Sequence, residues 1–295
     1  QAEDGIRDVE RSRGLGDVYK RQTYRRADWD KIESIAYNII ENEDPYTPNW
    51  SRIDYWHPPE LFSSLAPMWQ EYHKNPHPLI LIALLKTTKK YSYADDQVPK
   101  LFKSKRKIRE IRQILRRDYH REMRDYFLKE LRKTYQYSIE FRKYYKGGKK
   151  VVKGGIDLLN YEPEGQYQLL LTSPPYGLAH EYIRSFKLEL AWLGFNDEEI
   201  TDLINREIPY NKNVPQIEIA SRTYREFEKK VSRRVIRYYQ TYFKSVLYCL
   251  EKIMKRLKSN GYAAIFIGNA TFSGVRVPFH KIFREHFEDR GYRFI

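Results

Sequence analysis

The chain is poor in the residues that staple or metallate small proteins. Only one of its 295 residues is cysteine, Cys249. A single thiol excludes an internal disulfide and any multi-cysteine zinc site, and it points to a reducing compartment. Seven histidines are scattered without metal-ligand spacing, so no metal centre is expected. No apolar run approaches the ~18 residues that suggest a membrane helix, and no signal-peptide pattern opens the chain. The expectation is a cytoplasmic protein without a membrane partner.

What the chain has in excess is positive charge. Lys and Arg number 54 against 39 Asp and Glu, a formal charge of +15. From Lys100 to Lys150 stand nineteen Lys and Arg against six Asp and Glu, so a net of +13 falls in this one stretch. Charge so concentrated marks a polyanion-binding surface. The plain alternative, a solvated helix face, usually intersperses both signs. Ile108, Ile111, Ile114 and Leu115 fall on one side of a predicted helix, and Arg109, Arg112, Arg116 and Arg117 on the other. Tyrosines recur from Tyr119 to Tyr145. They are read as half-buried packing, and only the charge is assigned to nucleic acid.

A hydrophobic content of 41% is ample for one large domain or two smaller ones. Apolar spacing predicts helices over residues 28–43, after Pro58-Pro59, and over 78–86. It predicts one long helix or two over 108–145, a helix over 181–194 closed by Gly194, a helix or pair over 221–257, and one over 277–289. Asn196 followed by three acidic residues predicts a helix cap. Strands are predicted at Val151-Val152, at the run that halts at Ser173, over Gly261–Asn269, and from Gly291 onward. Strands separated by helices predict a parallel α/β sheet.

The rest of the chain is organised around Gln168-Leu-Leu-Leu-Thr-Ser-Pro-Pro-Tyr-Gly177. An apolar run stopped by two prolines predicts a buried strand ending in a rigid turn, because proline cannot extend a central ladder. Proline also removes backbone donors, which leaves nearby carbonyls free to accept from outside the chain. A flat ring bearing an exocyclic amine fits this turn. Its two amino hydrogens go to the Ser173 hydroxyl and the Pro174 carbonyl, and its face goes to Tyr176. Such a ring is an extruded nucleobase. The bland reading is a Pro-Pro turn that closes an ordinary strand.

Thr172 to Gly177 resembles the catalytic motif of the DNA amino-methyltransferases, which methylate cytosine N4 or adenine N6 with S-adenosylmethionine. The leading serine is more similar to the cytosine-N4 branch than to the adenine-N6 branches. Glu181–Gly194 is similar to the helix that follows the motif in the cytosine-N4 enzymes, and Gly261–Asn269 to the strand after the catalytic one. More loosely, the order of pieces from Asp54 to Lys107 is similar to the segment between the cofactor-binding half and the catalytic strand.

The resemblance implies an α/β fold: a partial Rossmann-like methyltransferase sheet of parallel strands with crossover helices, plus a basic helical segment. It implies Ser173, Pro174, Pro175 and Tyr176 as catalytic residues, and Asp157 and Thr172 beside the cofactor S-adenosyl-L-methionine. An Asp capping a turn is the equal alternative for Asp157. Contacts to double-stranded DNA are assigned to Lys103, Lys105, Arg106, Lys107, Arg109, Arg184 and Lys187. Arg184 and Lys187, three apart, share one face of the predicted helix, and a plain surface role is the alternative for both. A cognate restriction endonuclease is an expected companion.

Three domains are expected: a leader over 1–22, a basic helical segment over 23–150 that contacts DNA, and a catalytic half over 151–295. The leader resembles translated sequencing-adapter sequence and is set aside. The chain lacks an initial Met and stops at Ile295 where a strand is predicted, and it lacks the aromatic-Gly-x-Gly cofactor loop of the family. It is therefore expected to be a piece of a longer methyltransferase, and this piece is expected to bind S-adenosylmethionine poorly or not at all. Two rivals remain: an adenine-N6 DNA or RNA base methyltransferase, and a basic nucleic-acid-binding module without catalysis.

Overall fold

The structure is a computed structural model, and it describes residues 29–98, 100–144, 156–177 and 181–295. In chain order the elements are α1 Trp29–Glu41, α2 Ile53–Trp56, α3 Pro59–Lys74, α4 Pro78–Lys90, α5 Lys105–Ile114, α6 Tyr119–Tyr144 and β1 Tyr167–Thr172. There follow α7 Tyr182–Ser185, α8 Lys187–Trp192, α9 Asp197–Arg206, α10 Arg222–Glu228 and α11 Ile236–Met254. The chain continues with β2 Leu257–Ile265, β3 Ala270–Phe272, β4 Val275–Val277 and α12 Phe279–Asp289. The expected leader over 1–22 and the strand at Val151-Val152 lie outside the described residues.

The described residues form two compact units. One takes those of 1–154 with 184–200, and the other those of 155–183 with 201–295. Residues 184–200, expected within the 151–295 segment, group with the first unit.

The first unit is helical. Pro59 and Pro78 stand at the first turns of α3 and α4, where a missing N–H costs nothing. Leu79 to Leu84 are buried without interruption, so α4 is apolar all round and forms the unit's interior. It packs against α6, where Lys86 and Glu130 meet at 2.8 Å. Trp69 of α3 stacks on Trp192 of α8 with ring centroids 5.7 Å apart, and its indole N–H donates to Thr88 Oγ1 at 2.8 Å. The Trp69 ring is thus buried with its polar atom satisfied.

The helix expected over 181–194 is two short ones, α7 and α8, broken at Phe186. Arg184 and Lys187 therefore lie on different helices. The predicted stop at Gly194 is present: its φ is +100°, its N–H donates to the Ala191 carbonyl, and the Phe195 N–H reaches back to Leu190. This is the paired bonding of a Schellman end, which needs a left-handed residue there. The predicted cap of α9 is reciprocal. Asn196 Oδ1 accepts from the Glu199 N–H, and Glu199 Oε2 from the Asn196 N–H, both at 2.9 Å.

The second unit is mixed α/β. β1 and β2 pair in parallel, with Leu169 opposite Tyr262 and Thr172 opposite Ile265. The strand predicted over Gly261–Asn269 begins earlier, at Leu257, and ends at Ile265. Gly291 onward is not a strand. β3 and β4 form a hairpin that the sequence pattern does not announce, its loop residues Ser273 and Gly274 both at positive φ, as a two-residue hairpin loop requires. The Rossmann-like sheet expected for this half is therefore reduced to one parallel pair among the described residues.

Helices α11 and α12 pack on one face of that pair around Tyr239, Tyr242, Phe243, Phe272, Phe279 and Phe283. Leu170 faces this core, whereas Leu169 and Leu171 are 57% and 75% exposed. The strand expected to be buried is therefore half covered, because alternate residues point to opposite faces. No helix among the described residues is long and apolar enough to cross a membrane.

Candidate functional site

β1 ends at Thr172, whose carbonyl accepts from the Phe266 N–H at 2.8 Å. Pro174 and Pro175 follow after a single serine and carry no N–H, so the ladder stops and the chain turns at the C-terminal end of a parallel strand. Ligands of open α/β sheets bind at such ends. Ser173 is exposed, Pro174 is buried, and Pro175 and Tyr176 are half-buried. The hydroxyls of Ser173 and Tyr176 lie 2.8 Å apart. Three of the four residues singled out as catalytic therefore reach or approach the surface, and the hydroxyl and the ring are brought together.

The turn is held from beneath. Tyr242 of α11, fully buried, donates its hydroxyl hydrogen to the Pro175 carbonyl at 2.6 Å. Gly177 has φ +45°, and a Cβ there would sit 3.0 Å from Ala270 Cβ and 3.2 Å from Phe279 Cζ. Only glycine combines that conformation with that space. Asn269, the residue before β3, caps α12 by accepting from the Phe279 N–H at 3.1 Å. Residues 178–180 lie outside the described residues.

The two residues assigned to the cofactor stand differently. Thr172 is the last residue of β1, half-buried, with its carbonyl engaged in the ladder. Asp157 closes its own turn: Oδ1 accepts from the Leu159 N–H at 2.9 Å, and Oδ2 from Asn160 Nδ2 at 2.7 Å. Of the two readings open for Asp157, turn capping is the one its contacts describe. No glycine-rich turn follows a strand among the described residues.

The basic residues of the first unit divide sharply. Lys105 and Arg109 are exposed. Arg112 on α5 and Arg116 just past its end extend the same helical register and are exposed too. None of the four forms an ion pair among the described residues, and the stripe carries no acid. Lys107, in contrast, is 0% exposed; its ammonium donates to the Lys90 carbonyl at 2.8 Å and to Glu110 at 3.3 Å. Burial, partly offset by Asp96 and Glu110, lowers its pKa. A phosphate cannot reach it, and the expected DNA contact is corrected to a buried structural cation.

Arg106 holds Asp95 and Asp96 at 2.6 Å each and Glu110 at 3.1 Å. Burial alone raises the Asp95 carboxyl, but hydrogen bonds from Arg106 and Ser104 outweigh it and hold it at about 2. Lys103 donates to the Tyr55 carbonyl at 3.1 Å and lies over the rings of Tyr93 and Tyr55, 3.9 and 4.4 Å from their centroids. Lys103 and Arg106 therefore pin the loop between α4 and α5 and stand apart from the exposed stripe. Arg184 is exposed and Lys187 half-buried.

Sequence reasoning missed Tyr242 as a residue that holds the turn. Tyr242 sits in the apolar register of α11 with Tyr239, Phe243 and Val246, which reads as ordinary core. Only the position of its hydroxyl, invisible in one dimension, sets it apart. Comparison with family models, with curated proteins and with solved structures finds no match to this chain.

Proposed function

We propose that the chain holds a cytosine of double-stranded DNA by its exocyclic amine, as the base-holding part of an S-adenosylmethionine-dependent amino-methyltransferase acting at cytosine N4. The observation that carries this reading is the Ser173–Tyr176 hydroxyl pair, with Ser173 exposed and Tyr176 half-buried, on a proline turn at the end of a parallel strand. An amine conjugated into a pyrimidine is a poor nucleophile because its lone pair is delocalised. Hydrogen bonds from its two hydrogens to Ser173 Oγ and the Pro174 carbonyl favour a more tetrahedral nitrogen and release that pair. When Ser173 donates to Tyr176, both of its own lone pairs remain to accept.

Tyr176 supplies a face for the extruded ring, and the unstacking cost of a few kcal/mol is met by contacts to the opened duplex. The chemistry assigned to the described residues is that of the acceptor base; S-adenosylmethionine would supply the methyl group. The exposed stripe of Lys105, Arg109, Arg112 and Arg116 supports a polyanionic partner. Like charges four apart on a helix are destabilising, and a phosphate backbone removes that repulsion. A companion restriction endonuclease belongs to this reading as an expectation.

The test is photocrosslinking. Duplexes with 5-iodocytosine scattered through random sequence are irradiated with the protein, and the joined peptide is mapped by mass spectrometry. Attachment at Tyr176 is the expected result. Attachment at Tyr176 from 8-azidoadenine but not from 5-iodocytosine favours an adenine-N6 enzyme, and a preference for RNA pools favours an RNA enzyme. Attachment confined to α5 and α6 favours a binding module without catalysis.

A further inference from the structure

We infer that Tyr242 is a positioning residue for the base-holding turn, its hydroxyl fixing the carbonyl of the residue before Tyr176 and so setting where that ring stands. The purpose assigned to Tyr242 rests on the base-holding reading above; the geometry does not.

The turn cannot hold itself. Pro174 and Pro175 have no N–H, so no hydrogen bond donated by the turn's own leading residues can brace it, and the Pro175 carbonyl needs a donor from elsewhere. Tyr242 provides it at 2.6 Å. Gly177, two residues on, is buried at φ +45° beside Ala270 and Phe279. Tyr176 stands between the anchored carbonyl and this close-packed glycine, so ordering the carbonyl orders both neighbours, while its hydroxyl meets that of Ser173.

The anchor is itself rigid. Tyr242 stands mid-way along the 19-residue α11, is 0% exposed, and packs its ring on Phe279 at 4.9 Å and edge-on to Phe243 at 5.2 Å. Burial pushes its phenol pKa well above the ordinary value, so it stays protonated and able to donate. Tyr239, one turn earlier on α11 and equally buried, donates to the Tyr224 carbonyl at 2.9 Å. It makes the same kind of bond away from the turn and serves as an internal control.

The experiment compares Tyr242→Phe with Tyr239→Phe by amide hydrogen exchange and by 5-iodocytosine crosslinking. Tyr242→Phe is expected to speed exchange of the Gly177 amide by tenfold or more while the α11 amides keep their protection, and to cut crosslinking at Tyr176 at least as much, on the order of the loss of a buried bond. Tyr239→Phe leaves the Gly177 amide and the crosslink unchanged. If Gly177 exchanges in Tyr242→Phe as in the wild type, or if Tyr239→Phe exposes it equally, the positioning role is wrong. If wild-type protein gives no crosslink at Tyr176 yet Gly177 loses protection only in Tyr242→Phe, the base-holding reading fails and the mechanical role of Tyr242 stands.

Discussion

The hydroxyls of Ser173 and Tyr176, three residues apart on a turn interrupted by two prolines, lie 2.8 Å from one another. The bond holds an exposed polar acceptor against a half-buried aromatic ring at the end of a strand. A packing role does not call for that arrangement.

The ring and its hydroxyl make separable contributions. Tyr176→Ala is expected to weaken binding of a duplex carrying one bulged cytosine by about 1–3 kcal/mol, the usual worth of stacking a base on an aromatic side chain. Tyr176→Phe keeps most of that affinity. A fully paired duplex is bound equally by all three proteins. Fluorescence anisotropy reads each case, and equal weakening toward both duplexes contradicts a stacking role.

Gly177 is the residue of the turn least able to change. Its φ of +45° and the 3.0 Å approach that a Cβ would make to Ala270 act together. Gly177→Ala should therefore destabilise the protein by roughly 1–3 kcal/mol. Chemical denaturation measures it. Gly274→Ala, also at positive φ but with open space around it, is expected to cost less.

What was legible in the sequence was whatever depends on neighbours along the chain. Helix spacing, the stop at Gly194, the Asn196–Glu199 cap and the strand that ends before Ser173 are all local patterns. The fate of Lys107 was not legible. It sits in a run of cations, Lys103 to Arg109, and becomes buried only because Lys90, Asp96 and Glu110 converge on it in space. Tyr242 was illegible for the same reason, since the carbonyl it serves is 67 residues away. Leu169 and Leu171 were misread because an unbroken apolar run gives no phase to tell a covered face from an open one.

The exposed and buried cations should separate in salt dependence. Replacing Lys105, Arg109, Arg112 or Arg116 by Gln is expected to lower the slope of log K against log salt for duplex DNA by about 0.9 for each phosphate that is no longer neutralised. Lys107→Met leaves the slope unchanged and lowers stability, because it breaks a buried ion cluster. Titrations at several salt concentrations, paired with urea melts, decide this. A slope unchanged in all four surface variants contradicts the assigned interface.

Stability should also depend on pH through His57. Its Nε2 accepts the Trp192 indole N–H at 3.0 Å, and its Nδ1 faces the Tyr91 carbonyl at 3.3 Å. Burial lowers its pKa from 6.5 to about 4. Between these values the unfolded chain takes up a proton that the folded chain refuses. Stability therefore falls as pH drops through this window, by at most about 3 kcal/mol from this group. His286, also lowered chiefly by burial, acts in the same direction. Urea unfolding across the window should show a shallower fall in His57→Gln, which keeps an acceptor for Trp192; an equal fall contradicts the assignment.

The central claim is that the turn recognises an amine, and the most direct measurement compares two bases that differ there. Matched oligonucleotides carrying 5-iodocytosine or 5-iodouracil are crosslinked to the wild-type protein and to Ser173→Ala. The wild type is expected to favour cytosine at Tyr176 by tenfold or more, on the order of one hydrogen bond to a buried polar group, and Ser173→Ala to join both bases equally. Equal yields of cytosine and uracil in the wild type would contradict the account.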